Sequence, residues 1–302
     1  MIDYNNVSVS NPNVDAILKN PNLEFVSGCN RKTFEVENRG IAKYKGLTFE
    51  FFNQYSLKIS GSLHKYFNNG LHNYNDFNQS DLNYVLDDMS ETFDLNMDDC
   101  ILRGLEIGVN FRSPIKCSKV IRSALMVSTK RLERGSVYRG NFKESTCQRY
   151  YAKFYDKTSQ YKLNKELLRF ELKFRRMEDI KGAVKTLEDL RSESNMKFLS
   201  SILLRAWKEV LFIDPTIREG ELTRNQQDKK IYQWRDVEYW LGLKFPSSRF
   251  AQRKELQKVI INHSDDIYGA LSFELNNKID SMLDPPPFKM DDDLFSLRFN
   301  NA

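Results

Sequence analysis

Between Gln148 and Arg176 the chain alternates apolar and polar residues with the period of two that a β-strand imposes. Leu168, Phe170, Leu172 and Phe174 fall on one face, and Arg169, Glu171, Lys173 and Arg175 on the other. Upstream, Tyr151, Lys153, Tyr155 and Lys157 share a face. The spacing predicts two strands joined by a polar turn, with the apolar set on a core. From spacing alone, the other face is that of a solvated edge hairpin with alternating charges. Ile101–Phe111 predicts a further strand, with Leu105, Ile107, Val109 and Phe111 inward and Glu106, Gly108 and Asn110 outward. A glycine beside that carboxylate leaves room for a ligand to approach the backbone. Residues 44–67 predict two more strands turning at Asn53-Gln54, with Lys58, Ser60, Ser62, His64 and Tyr66 on one face.

Helical spacing predicts elements of the other kind. Ser80-Asp81 opens a helix carrying Leu82, Val85, Leu86, Met89 and Phe93, and short helices are expected at Val14–Lys19 and Ser118–Met126. After Arg176 the period is helical throughout, at Ile180–Leu190, Met196–Val210, Gln227–Leu241, Lys254–His263 and Asp265–Leu283. Gln233–Arg253, with a turn at Phe245-Pro246, reads as a packed α-hairpin rather than a helix-turn-helix. The order of elements does not fit a βαβ repeat. It predicts an α+β fold: a largely antiparallel sheet with helices on one face, followed by a mostly helical C-terminal part. The expected organisation is a first domain over 1–178, a helical domain over 179–284 and an extended or disordered tail over 285–302, where three prolines and an acidic run occur.

Composition narrows the class. The 302 residues are 40% hydrophobic and 29% charged, enough for packed cores. No run of about 18 apolar residues occurs, so no membrane partner is expected. No secretory leader is evident in MIDYNNVSVSNPN, and the four widely spaced cysteines form no CxxC pair, which points to a reducing compartment. Charge is unevenly placed. Between Arg112 and Arg176 there are 18 Lys and Arg against 5 Asp and Glu, so this span carries +13 and the remainder −8 of a net +5. Tyrosines and phenylalanines interleave with the cations, as suits a polyanion with bases to stack. A tyrosine beside lysines, near a carboxylate, suits phosphodiester chemistry by covalent catalysis.

GSLHKYFNNGLHNYNDF at 61–77, GLEIGVNF at 104–111, AKFYDK at 152–157 and LLRFELKF at 167–174 occur in that order. Together they resemble the replication initiators of filamentous phages, the gene-two protein family, and the related rolling-circle plasmid initiators. The resemblance implies a relative of the HUH-type endonucleases, acting in DNA replication initiation in the cytoplasm of a bacterial host. Such enzymes nick one strand of origin DNA, single-stranded or in a hairpin. A tyrosine becomes linked to the 5′ phosphate, a 3′ hydroxyl is left free, and a metal ion polarises the phosphate. Carried onto this chain, the nucleophile is Tyr155, flanked by Lys153 and Lys157, with Tyr151 next and Tyr232 and Tyr239 as helical alternatives. No His-x-His occurs; the metal set reduces to His64, Glu106 and Glu171, an oxygen-rich set suited to Mg2+ or Mn2+. The helical half is assigned to origin recognition, a host helicase or self-association.

Two other classes compete. Glu171-Leu172-Lys173 matches the (D/E)xK element of hydrolytic, metal-dependent nucleases, with Glu106 as the upstream acid. A DNA-binding protein without chemistry would need only the basic face.

Overall fold

In the computed structural model the described residues are 1–29, 36–53, 56–134, 142–180, 182–225 and 230–283. The expected tail, and Gln54 of the expected turn, lie outside them. The fold is α+β, built on a large antiparallel sheet as the alternation predicts.

Strand β1 (Ile2–Val9) lies mid-sheet, after which come α1 (Val14–Leu18) and a meander of β2 (Val26–Cys29), β3 (Val36–Tyr44), β4 (Leu47–Asn53) and β5 (Ser56–Ser62). Helix α2 (Leu63–Phe67) begins directly where β5 ends. The Ser62 hydroxyl accepts from the Lys65 amide and caps it. His64 and Tyr66 therefore leave the strand face on which alternation set them. Helix α3 (Gln79–Phe93) starts one residue before the expected Ser80, closed by a reciprocal capping box between Asn78 and Asp81. Its five periodic residues, Leu82 to Phe93, are buried.

The long strand β6 (Cys100–Arg112) follows, then α4 (Cys117–Ser123). Three short strands come next, β7 (Ala124–Val127), β8 (Lys130–Arg131) and β9 (Glu133–Arg134). The sheet is completed by β10 (Phe142–Thr146), β11 (Tyr150–Asp156), the single-turn α5 (Lys157–Tyr161) and β12 (Leu167–Phe174). Among the described residues the strand order is β2-β3-β4-β5-β1-β6-β12-β11-β10-β9. The β11–β12 hairpin is thus interior to the sheet. Both of its faces are buried at the centre: Phe170 and Leu172 are inaccessible, and Arg169 and Glu171 are only 2% and 3% exposed. The solvated-edge reading fails because β6 and β10 flank the hairpin, and because the loop at 68–77 covers its polar face through Asn73.

Beyond β12 the segment 180–190 does not form the expected helix. It makes turns and a 3-10 turn at Glu188–Arg191, and Thr186 bridges to Ile101 beside β6. Then come α6 (Glu193–Lys208), β13 (Val210–Phe212), α7 (Tyr232–Arg235), α8 (Val237–Gly242), α9 (Pro246–His263) and α10 (Ile267–Leu283). Strand β13 pairs with β7 and extends a small second sheet. Of the helices after residue 179, α6 and α10 pack into the core of the large sheet. Leu199, Leu203 and Trp207 of α6, with Leu271, Leu275 and Ile279 of α10, join the one core that underlies the large sheet. Trp207 meets Phe111, Phe154 and Phe170 at ring-centroid distances of 5.6, 5.9 and 5.2 Å. A smaller core gathers α7, α8 and α9 around Trp234 and Trp240.

Candidate active site

Register sets the site. Directly opposed residues of neighbouring antiparallel strands share a face. Across β6, β12 and β11 three rows therefore stand side by side: Asn110, Arg169 and Tyr155; Gly108, Glu171 and Lys153; Glu106, Lys173 and Tyr151. Asp3 of β1 joins the first two rows by an ion pair with Arg169.

Arg169 is the hub. Its Nε donates to Glu171 Oε2 at 2.8 Å, Nη1 to Asn110 Oδ1 at 3.0 Å and Nη2 to Asp3 Oδ2 at 2.9 Å. Gly108 makes this reach possible. A Cβ there would stand 3.0 Å from Arg169 Nη2 and 3.0 Å from Glu171 Cβ. The space that the sequence offered to a ligand is taken by the arginine. Lys153 Nζ lies between two carboxylates, 3.0 Å from Glu106 Oε2 and 3.1 Å from Glu171 Oε1, and Lys173 Nζ stands 3.3 Å from Glu106 Oε1.

The roof comes from the loop after α2. Asn73 is buried there and donates its amide to both oxygens of Asp3, at 3.1 and 2.9 Å. Its Oδ1 accepts from Lys157 Nζ at 2.9 Å and from the Tyr161 hydroxyl at 3.0 Å. The Lys157 ammonium lies 5.5 Å from the ring centroids of both Tyr155 and Tyr161. Tyr161 also packs edge-on to Tyr74, with centroids 5.0 Å apart, and Tyr74 stacks on His72 at 4.0 Å. Beside this cluster opens a groove of about 620 Å³, lined by Tyr74, Asn75, Asn110, Arg112, Lys165 and Lys278 among others.

Burial tunes the charges. It is the largest influence on the Asp3 and Glu171 carboxylates and pushes both up, yet Arg169, joined by the Ser62 and Asn73 hydrogen bonds and Lys157 around Asp3 and by Lys153 around Glu171, holds both below the usual carboxylate range. Burial, and then the charge of Glu171, push the Glu106 carboxyl up. Burial, then Glu171 and Glu106, push the Tyr155 phenol up, so the lysines beside it do not make it a phenolate at rest. Burial and then Arg169 lower the Lys157 amine to about 7.

This last shift has a measurable sign. Below about 7 Lys157 is charged in both folded and unfolded chains, and its burial penalises the fold in full. As pH rises from about 7 to 10.5 the unfolded chain loses its advantage, so this group makes stability climb. Lys157→Met should flatten that climb by about 2 kcal/mol between pH 7 and pH 9. Urea denaturation at the two pH values reads the difference, and an unchanged slope would refute the assignment.

The expected metal ligands do not meet. Glu106 and Glu171 are brought together, but His64 stands in α2. Its Nε2 pairs with Asn75 Oδ1 at 2.8 Å, its ring stacks on Phe77, and burial followed by Arg169 lowers it to about 3, so it is neutral near pH 7. Among the described residues no group of three or more His, Cys, Asp or Glu could hold a metal ion. The Glu106–Glu171 pair as it stands does not fit one either, because Lys153 fills the space between the two carboxylates. Of the other tyrosines, Tyr151 lies under the Arg175 guanidinium at 5.6 Å, Tyr232 is exposed, and Tyr239 packs in the smaller core. The sequence reading missed Asp3, Asn73 and Tyr161. Tyr161 follows Tyr155 by six residues and was visible; Asn73, in an asparagine-rich loop, had no distinguishing neighbour.

The fold and site thus define an α+β chain with a buried, hydrogen-bonded ionic centre on one sheet face, roofed by a loop. Among solved structures the chain is similar to a rolling circle replication initiator protein from Geobacillus stearothermophilus, at 10% identity and a TM-score of 0.42, covering 86% of this chain and 95% of that one. No protein-family model and no curated protein matches. Among the described residues no helix is long and apolar enough to cross a membrane.

Proposed function

We propose that this chain initiates rolling-circle replication in a bacterial phage or plasmid system by nicking one strand of origin DNA with a tyrosine. One observation carries the reading. The four segments that resemble the initiators, far apart in sequence, each send a side chain to the same centre: Asn73, Asn110, Lys157 and Arg169 are linked through Asp3 and one another. A solvated charged surface has no reason to converge in this way.

In the proposed reaction the Tyr155 oxygen attacks the scissile phosphorus, a phosphotyrosine bond forms, and the bond to the 3′ oxygen breaks. The Tyr155 proton passes to Lys157, the neighbouring base with a value near neutrality, which returns a proton to the leaving 3′ oxygen. The groove beside Tyr74, with Arg112 and Lys165 along it, is the path of the single strand.

A denaturing gel with labelled single-stranded oligonucleotides from the chain's own genome tests this. The expected result is label that stays on the protein after boiling and vanishes in Tyr155→Phe. An adduct undiminished in that variant would move the nucleophile elsewhere. Cleaved DNA with no adduct would mean hydrolysis, and binding with neither product a recognition module.

A further inference from the structure

All four oxygens of the Glu106–Glu171 pair face a cation. Glu106 Oε1 has Lys173 Nζ at 3.3 Å, and Glu106 Oε2 has Lys153 Nζ at 3.0 Å. Glu171 Oε1 has the same Lys153 Nζ at 3.1 Å, and Glu171 Oε2 has Arg169 Nε at 2.8 Å. Two carboxylates on adjacent strands, with an oxygen each turned toward a common point, are what a hard divalent ion would use. Here that point holds an ammonium.

The register fixes it there. Lys153 stands directly opposite Glu171, and Lys173 directly opposite Glu106, so both lysines rise from the same face as the acids. The side chain of Lys153 is 11% exposed, and those of Glu106 and Glu171 are 11% and 4% exposed. In so dry a place a divalent ion added to three cations would face repulsion that two carboxylates cannot offset.

We propose that Lys153 is the resident cation of the Glu106–Glu171 pair, and that this site takes a divalent metal ion only when Lys153 is removed. Lys153→Ala would free one oxygen on each acid, facing one another across the space the ammonium left, with water completing the coordination of Mg2+ or Mn2+. The inference concerns cation binding alone. It stands or falls whether or not Tyr155 is a nucleophile.

The probe is Mn2+ titrated into the full chain, with free Mn2+ read by electron paramagnetic resonance. The native protein should show no Mn2+ binding that Glu106→Gln abolishes. Lys153→Ala should bind one Mn2+ at least tenfold more tightly than the native chain, and the double variant Lys153→Ala/Glu106→Gln should lose it. One Mn2+ on the native chain that Glu106→Gln removes would overturn the proposal, and so would equal affinities in native and Lys153→Ala. The native and Glu106→Gln titrations decide the first point even if Lys153→Ala does not fold.

Discussion

Arg169→Met should cost about 3–5 kcal/mol of folding stability at pH 7, a large part of the roughly 5–15 kcal/mol that holds a domain of ordinary stability. The reason is what it leaves behind. Arg169 is 2% exposed and is the partner of Asp3 and Glu171, themselves 6% and 3% exposed. Methionine fills much of the volume but strands two carboxylates in a dry site. The pH dependence identifies the cause. In the native chain both carboxyls sit below their ordinary values, so the stability they bring is present at neutral pH and is lost as pH falls through the folded values. Without Arg169 burial prevails and the folded values rise above the unfolded ones. The variant then gains stability on acidification from pH 7 toward about 4. Urea denaturation across that range should show the gap between the two proteins narrowing as pH falls. A second check is Asp3→Asn in the Arg169→Met background, which should recover part of the loss, since it removes one stranded charge. A cost below about 1 kcal/mol at pH 7, or a gap that does not change with pH, would show that the ionic centre does not hold the sheet together.

Much of this centre was legible and part was not, for reasons that lie in particular residues. Alternation in β6, β11 and β12 was strong, so Glu106, Glu171, Lys153 and Tyr155 were correctly placed on one face. What spacing does not carry is what lies above a face. Asp3 reaches Arg169 across 166 residues of sequence, and Asn73 closes the roof from a loop with no period at all. Without them the polar face reads as a surface or a metal site, although it is a buried and internally neutralised network. Strand β1 escaped because IDYNNVSV shows alternation only at Val7 and Val9, and its Asp3 goes to the site. His64 was misplaced by a strand carried too far, since Ser62 looked like one more alternating residue while its hydroxyl starts a helix. The segment 180–190 shows that helical period alone is a weak signal in a stretch so short: Ile180, Val184, Leu187 and Leu190 are all buried, but by turns that pack beside β6.

The change of character after Arg176 invited a boundary there, and a chain ending at residue 178 offers the sharpest test of it. Such a chain keeps every strand of the large sheet and every residue of the ionic centre. It loses α6 and α10, whose apolar stripes cover the sheet face opposite the site. Phe111, Phe154 and Phe170, at 2% exposure or less, would then meet water where Trp207 stood. At 1.5–3 kcal/mol for each, their uncovering alone forfeits roughly 5–9 kcal/mol, comparable with the whole net stability of such a fold. The truncated chain should therefore show no cooperative urea transition and should aggregate through the exposed face. If the helices after residue 179 were a separate origin-binding part, the truncated chain would instead unfold cooperatively and still form the covalent adduct with a short single strand. Circular dichroism through a urea series, followed by the adduct gel on the same preparation, separates the two. Phe111, Phe154 and Phe170 lie on the same three strands whose opposite faces carry Asn110, Lys153 and Arg169, so the chemistry on one side of the sheet depends on the helices packed against the other.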